Sequence, residues 1–332
     1  MHIFEVVIYI LTIGMLWIIM SKKVMKPQVV IPLLSVTGLF LILHVVFDHI
    51  RWQLFLLYVA VLILGVMLYL TSIMSIILKK AIRKTLIIGL SIFIVISILF
   101  AFIFPIYTLP TPNGDYLIGT ESFVIEDENR EELYTEDPSD FRKIKIQLWY
   151  PAESTDGYEQ APWLEDGLVV ARSLSLDTGL PFFVLDHAAN IMSNSFVNAP
   201  INDALDDYPV IILSHGWRGF RNLHTDFAEE LASLGYIVVG IDHTYGSVAT
   251  VFSDQDIAYL NLDALPPRET TPDFLDYANQ LVNTYGLDVT TTLEYLEEMN
   301  GDTSSSRFSG KLDLTNIGLL GHSTGGGGDV AV

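Results

Sequence analysis

The sequence predicts an all-α membrane region of four transmembrane helices, residues 1–106, followed by an α/β domain with a mostly parallel sheet, residues 107–332. The first region contains four long apolar stretches, whereas the second alternates short apolar runs, glycine turns and helical periodicity. Charge divides at the same place. Eight basic residues stand against two acidic ones before Ile106, although the whole chain carries a net charge of −21.

Each apolar stretch is about as long as the roughly 20 helical residues that cross a hydrocarbon core; the four are 3–20, 29–47, 54–78 and 85–106. The first differs from a signal peptide because it has no basic leader and no small-residue cleavage site. Basic residues concentrate after the first and third stretches, at Lys22, Lys23, Lys26, Lys79, Lys80, Arg83 and Lys84. The positive-inside rule makes those loops cytoplasmic, which predicts a multi-pass cell-membrane protein with an extracytoplasmic α/β domain.

Two ionisable residues, Glu5 and His44, fall inside or at the edge of these stretches. An intramembrane ionisable group is a functional candidate by default. Both lie close to the end of a stretch, however, and the stretches offer little polar lining beyond Ser and Thr. The sequence therefore favours an interfacial position for both residues over a transport role.

Composition excludes several classes of function. The acidic α/β domain has no basic stripe, which argues against nucleic acid as a partner. The chain has no cysteine, so disulfides and thiolate chemistry are excluded. The histidines of the domain are scattered without metal-ligand spacing, so we expect neither a metal nor a cofactor.

The strongest motif is Gly321-His322-Ser323-Thr324-Gly325, which matches the G-x-S-x-G nucleophile elbow of α/β-hydrolases. The apolar segment 312–320 leads straight into it, giving the required order of strand, sharp turn and helix. The alternative is a flexible linker formed by the glycines 325–328. Glycine at a helix start costs roughly 0.5–1 kcal/mol relative to alanine. Close packing of the helix against a strand would explain why glycine occupies these positions.

A second motif lies upstream, where the buried-strand run 208–213 ends in Ser214-His215-Gly216. In α/β-hydrolases such a turn offers one backbone N–H to the oxyanion, and the residue after the nucleophile offers the other. Here the two donors would be the amides of Trp217 and Thr324. A surface turn with a chance His-Gly pair is the alternative, and the elbow downstream makes it less plausible.

Together, segments 214–221, 235–247 and 321–326 resemble the platelet-activating factor acetylhydrolase group of α/β-hydrolases, and segments 109–120 and 146–152 are similar to that group's N-terminal hairpin region. The resemblance extends from Leu109 to the last residue. It implies a serine carboxylic ester hydrolase acting on short acyl or phospholipid-type esters, without a metal. It also implies that the catalytic acid and histidine follow the elbow, so we expect an α/β-hydrolase domain that is incomplete at its C-terminal side and inactive alone.

Residues already present offer few substitutes for the missing base. His215 is the nearest candidate, but the resemblance gives it a role in the turn instead, and a base must reach Ser323 Oγ within hydrogen-bonding distance. His243 follows a strand and is a further candidate. The strained turn should aim His322 away from Ser323.

Two further segments are read by their composition. Residues 153–202 are irregular and acidic with scattered aromatic residues, which fits a lid or a surface excursion equally well. Residues 271–299 carry apolar side chains at spacings of three and four, which predicts a helix.

The sequence thus predicts a membrane-anchored ester hydrolase whose nucleophile is Ser323 and whose partners are an ester or lipid substrate and the lipid bilayer. A non-catalytic membrane protein that uses a hydrolase-like domain for binding or assembly is the alternative. Nothing in the sequence indicates the oligomeric state.

Overall fold

A computed structural model describes residues 2–21, 24–48, 50–76, 79–137, 139–253, 255–301 and 306–332. The chain divides into two compact units, Met1–Ile106 and Tyr107–Val332. Of the residues used above for the membrane topology, Lys22 and Lys23 lie outside the described part.

The first unit consists of four helices: α1 (Ile3–Met20), α2 (Pro27–Phe47), α3 (Phe55–Ser72) and α4 (Lys80–Ile103). All four are long and apolar enough to cross a membrane. α2 begins two residues earlier than predicted because Pro27 suits the first turn of a helix. α3 ends at Ser72, well before the predicted 78, and Ser75 beyond it has a left-handed φ of +58° that is incompatible with a continuing helix.

Polar residues at one end of this helical unit are buried together. Glu5 of α1 is fully buried and accepts two hydrogen bonds from Arg51, at 2.7 and 2.6 Å. His44 of α2 is also fully buried, with its Nε2 2.7 Å from the hydroxyl of Tyr58 and its Nδ1 3.3 Å from Asp48. The interfacial position expected for Glu5 and His44 stays a prediction, but the structure shows that both side chains are paired inside the helix bundle.

The second unit is built on one seven-stranded sheet, in the order β3-β4-β1-β2-β6-β5-β9. Its strands are β1 (Leu117–Glu131), β2 (Phe141–Ala152), β3 (Gln160–Pro162), β4 (Met192–Val197), β5 (Tyr208–Ser214), β6 (Ile237–Asp242) and β9 (Leu312–Gly321). A separate hairpin pairs β7 (Ala249–Ser253) with β8 (Asp256–Tyr259).

The sheet is mixed, so the prediction of a mostly parallel sheet was wrong. β5 runs parallel to both of its neighbours, β6 and β9, but β2 runs antiparallel to β1 and to β6. The long β1–β2 hairpin causes the difference, because strands joined by a short connection pair antiparallel. β6 is buried along its whole length, as expected for a central strand with continuous Ile and Val.

Three helices pack on the sheet, α6 (Thr225–Ser233), α7 (Phe274–Gly301) and α8 (Thr324–Val330), whereas α5 (Gly167–Asp177) contacts β7 of the hairpin. α7 confirms the helix predicted from the spacing of apolar residues over 271–299. Its Val289, Leu296 and Met299 belong to the main apolar core, together with side chains of β2, β5 and β6. This packing fixes α7 against the sheet that carries the functional motifs.

Candidate active site

Ser323 occupies a sharp turn between β9 and α8. Its φ of +53° and ψ of −117° place a non-glycine residue in a sparsely populated, left-handed conformation. Its side chain is exposed to solvent. The order of strand, turn and helix is therefore the one predicted, and the strain is concentrated at the residue that the motif singles out.

The glycines on either side of Ser323 allow backbone to approach closely. A β-carbon on Gly321 would lie closer than 3.0 Å to the backbone of Gly325 and Gly326. One on Gly325 would lie equally close to the carbonyl oxygens of Ser214 and His215 at the end of β5. Since backbone atoms cannot move aside as a flexible side chain can, glycine is required at both positions.

The next glycines pack against a helix, which corrects the expected reason for them. A β-carbon on Gly328 would lie 2.7 Å from the Cβ of Tyr285, and one on Gly327 would lie 3.2 Å from Val282. Both partners belong to α7. The segment is helical within α8, so the flexible-linker alternative is not supported. Contact with a strand, the reason given in the prediction, applies to Gly325 and to Gly326, whose β-carbon would lie 3.1 Å from the carbonyl oxygen of Gly321 in β9.

The turn after β5 lies directly beside Ser323. The His322 N–H donates to the carbonyl of Ser214 over 3.1 Å, and a β-carbon on Gly216 would lie 3.1 Å from the Cβ of Ser323. In the described part of the chain, neither the Trp217 N–H nor the Thr324 N–H has an acceptor. Two unused backbone donors thus lie in the segments that meet at Ser323, and their role as oxyanion donors stays a prediction.

Left-handed backbone is concentrated around this turn. Besides Ser323, both Arg218 and Tyr245 have a φ of +65°. The Arg218 N–H donates to the carbonyl of Gly246 over 2.9 Å, which ties the turn to the loop that follows β6. Strained non-glycine residues of this kind persist where surrounding contacts fix them, and they cluster at functional sites.

His215 serves the turn and is not available as a base. Its Nδ1 lies 2.7 Å from the carbonyl oxygen of Gly216, and its Nε2 lies 2.8 Å from the hydroxyl of Ser247. The ring is buried, and burial together with nearby His243 lowers its pKa to about 3. The neutral ring has both nitrogens engaged, so it has no free nitrogen for Ser323.

His243 is fully buried as well and pairs with a carboxylate that sequence reasoning missed. Its Nδ1 lies 3.0 Å from Oδ2 of Asp288 on α7, and its ring stacks on Tyr285 at 3.8 Å. Arg142 of β2 donates two hydrogen bonds to the same carboxylate, at 3.0 and 2.7 Å, and Arg130 donates a third at 2.7 Å. Burial alone would raise the pKa of Asp288, but Arg142 and His243 hold it well below its usual range.

The His322 ring lies against the turn after β5, since a β-carbon on Gly216 would lie 2.9 Å from its Nδ1. The same ring lies 5.9 Å from that of His224, and both line a cavity of about 150 Å³ together with Leu213, Phe227 and Leu320. Burial and the neighbouring His322 lower the pKa of His224. No hydrogen bond joins Ser323 Oγ to a histidine within the described residues.

The segment 153–202 is anchored next to the turn and supplies β3, α5 and β4. The indole N–H of Trp163 donates to the carbonyl of Asn222 over 2.7 Å, and Asp177 at the end of α5 forms an ion pair with Arg218 at 3.3 Å. Trp163 therefore packs onto the domain, as expected for a surface excursion. Phe182, in contrast, is 52% exposed.

These features define an α/β-hydrolase-like domain. Its sheet is mixed, a strained serine lies between a strand and a helix, and two unused backbone N–H groups lie in the adjoining segments. A family model described as platelet-activating factor acetylhydrolase, isoform II, matches residues 102–331. The match covers more than half of the chain, and the chain belongs to this family.

Individual relatives agree with this assignment. The chain is similar to the platelet-activating factor acetylhydrolase of Cavia porcellus, with 24% identity over 66% of this chain and 50% of the relative. It is also similar to the platelet-activating factor acetylhydrolase of Gallus gallus, with 20% identity over 66% of this chain and 55% of the relative. It thus spans about half the length of these curated relatives. A solved ferulic acid esterase from Streptomyces cinnamoneus has a similar fold, with a TM-score of 0.51 and 23% identity over 68% of this chain and 58% of that one.

Proposed function

We propose that the chain carries the nucleophile and the oxyanion-binding amides of a membrane-anchored serine carboxylic ester hydrolase. One observation carries the proposal: exposed, left-handed Ser323 lies where two segments with unused backbone N–H groups meet. A nucleophile needs access to substrate, and a developing oxyanion needs donors that are already in place.

In this mechanism Ser323 Oγ attacks the ester carbonyl, and the carbonyl oxygen becomes an oxyanion. The N–H groups of Trp217 and Thr324 donate to that oxyanion. Collapse of the tetrahedral intermediate expels the alcohol and leaves an acyl group on Ser323, which water then removes. We assign the general base to a histidine other than His215 and His243, because both rings are buried in other contacts.

The proposed substrates are short acyl or phospholipid-type esters. The support is the name shared by the relatives, acetylhydrolase of platelet-activating factor, together with the ester hydrolase fold. The proposed location at a bilayer also supports lipid-type substrates. Four apolar helices would hold the hydrolase unit at a bilayer, and the basic residues in two loops would place it on the extracytoplasmic side.

A fluorophosphonate probe tests the nucleophile and the oxyanion-binding amides in one covalent step, so labelling does not require the ester turnover that the sequence leads us not to expect of this chain alone. The full chain in detergent micelles should be labelled at Ser323, as read by mass spectrometry of the labelled peptide, and Ser323→Ala should not be labelled. Ser253→Ala, which removes an exposed serine at the end of β7, is the matched control and should be labelled normally.

Labelling that persists in Ser323→Ala would overturn the serine mechanism. A folded chain that is not labelled at all would favour the alternative, in which the hydrolase-like unit binds without catalysing.

A further inference from the structure

A buried carboxylate on α7 is connected to the turn beside Ser323 through two histidines. Asp288 is completely buried, and its two oxygens accept hydrogen bonds from Arg130, Arg142 and His243. Arg142 and His243 hold its pKa well below the usual range, so the carboxylate is ionised and can only accept. His243 must therefore carry its proton on Nδ1, and this N–H donates a hydrogen bond to Asp288.

The backbone of His243 continues the connection. Its N–H donates to Nε2 of His215 over 3.2 Å, and the hydroxyl of Ser247 lies 2.8 Å from the same nitrogen. Because Nε2 accepts, the neutral ring of His215 carries its proton on Nδ1. That proton faces the carbonyl oxygen of Gly216, 2.7 Å away.

The carbonyl of Gly216 and the N–H of Trp217 belong to one peptide unit. In a planar trans peptide the C=O and N–H bonds point in opposite directions. A hydrogen bond from the His215 ring and another from the Gly219 N–H, at 2.9 Å, hold the carbonyl on the inner side of the turn. They therefore hold the Trp217 N–H on the opposite side.

We propose that Asp288 and His243 form a positioning pair, which acts through His215 and the Gly216 carbonyl to aim the Trp217 N–H at the oxyanion. Neither residue touches substrate. The catalytic part of this inference rests on the proposed function, whereas the orientation of the turn does not.

A purely stabilising pair would have a different signature. Asp288 also neutralises Arg130 and Arg142, so its loss would lower the stability of the whole unit in either case. A positioning pair also changes the environment of Trp217 in a protein that remains folded and keeps a ring stacked on Tyr285, because Trp217 packs against the apolar cluster that contains Tyr285. The test therefore needs a readout at Trp217 beside a measure of stability.

The experiment uses the full chain in detergent micelles, labelled with 5-fluorotryptophan, and follows the ¹⁹F resonance of Trp217, which Trp217→Phe assigns. His243→Phe keeps an aromatic ring against Tyr285 but removes the donor to Asp288. Glu229→Gln is the control, because Glu229 is another fully buried carboxylate, hydrogen-bonded to Asn194 and Ser195 and remote from the turn's hydrogen bonds. We expect the Trp217 resonance to shift or broaden in His243→Phe and to remain unchanged in Glu229→Gln.

Labelling kinetics supply the second readout. In His243→Phe, the saturating rate at which a fluorophosphonate modifies Ser323 should fall about 10-fold or more, towards the 10²–10³-fold loss that follows removal of one oxyanion donor. The probe concentration at half-saturation should stay the same. Glu229→Gln should retain the wild-type rate.

The outcomes separate the two claims. A displaced Trp217 resonance without any labelling of the wild type would support the positioning of the turn and reject the proposed function. An unchanged Trp217 resonance in folded His243→Phe would overturn the positioning pair. If His243→Phe does not fold, Ser247→Ala removes one of the two hydrogen bonds to His215 Nε2, and an unchanged Trp217 resonance in that variant would overturn it equally.

Discussion

Replacement of Arg142 by methionine should destabilise the hydrolase unit strongly. Arg142 is buried on β2 and donates two hydrogen bonds to Asp288, one to Glu132 and one to the carbonyl of Thr244. Methionine fills a similar volume but donates nothing. Asp288 keeps Arg130 and His243, whereas Glu132 loses its ion pair while it remains buried.

The expected magnitude follows from the cost of breaking a buried ion pair, about 3–5 kcal/mol. For a unit the size of Tyr107–Val332, each kcal/mol lowers the melting temperature by roughly 2–4 °C. Arg142→Met should therefore lower the melting temperature by about 6–20 °C.

Intrinsic tryptophan fluorescence during heating of the full chain in detergent measures this shift. Lys143→Met is the matched control on the same strand, because its ion pair with Asp256 is largely exposed and contributes about 0–1 kcal/mol. A shift for Arg142→Met no larger than that of Lys143→Met would refute the view that the buried ionic cluster holds β2 to α7.

Three further predictions concern pH, the elbow and topology. The unfolded state binds a proton at His215 below pH about 6.5, while the folded state does so only near the lowered pKa of about 3. Between pH 6.5 and about 3, acidification should therefore lower the free energy of unfolding, and His215 should contribute about 1.4 kcal/mol of this loss per pH unit. Urea denaturation at several pH values measures the slope, which should be smaller in His215→Gln. Gly325→Ala should slow phosphonylation of Ser323 more than 10-fold, because its β-carbon meets the carbonyls of β5, whereas Gly301→Ala, with open space around its β-carbon, should label at the wild-type rate. Protease added to right-side-out vesicles should digest the unit after Tyr107, and protection there with cleavage in inverted vesicles would contradict the proposed orientation.

The features that sequence reasoning predicted are those with a local signature. The apolar runs of β5 and the elbow strand, the helical spacing of α7 and the strained serine all follow from residues close together in the chain. The glycine pattern also predicted the sharp turn correctly. The segments that pack against these glycines were only partly predictable, because the contact of α7 with Gly327 and Gly328 depends on tertiary packing.

The ionic cluster had no such signature. Asp288 is one of several acidic residues in α7, and nothing nearby marks it as buried. Its main partner, Arg142, lies 146 positions away along the chain. The mixed sheet escaped prediction for a related reason: the antiparallel pairing of β2 with β6 joins strands that are remote in sequence. The sequence around such residues looks ordinary, because their roles arise from contacts with residues far away along the chain.

The buried pair of Glu5 and Arg51 has a consequence for biosynthesis. The two residues are 46 positions apart, so a ribosome adding 5–20 residues per second needs about 2–9 s to supply the partner after Glu5 has been made. During that interval α1 cannot reach its final packing without burying an uncompensated carboxylate. The first helix must therefore stay in contact with water at Glu5 until the loop after α2 emerges, so α1 cannot complete its packing before α2 has been made.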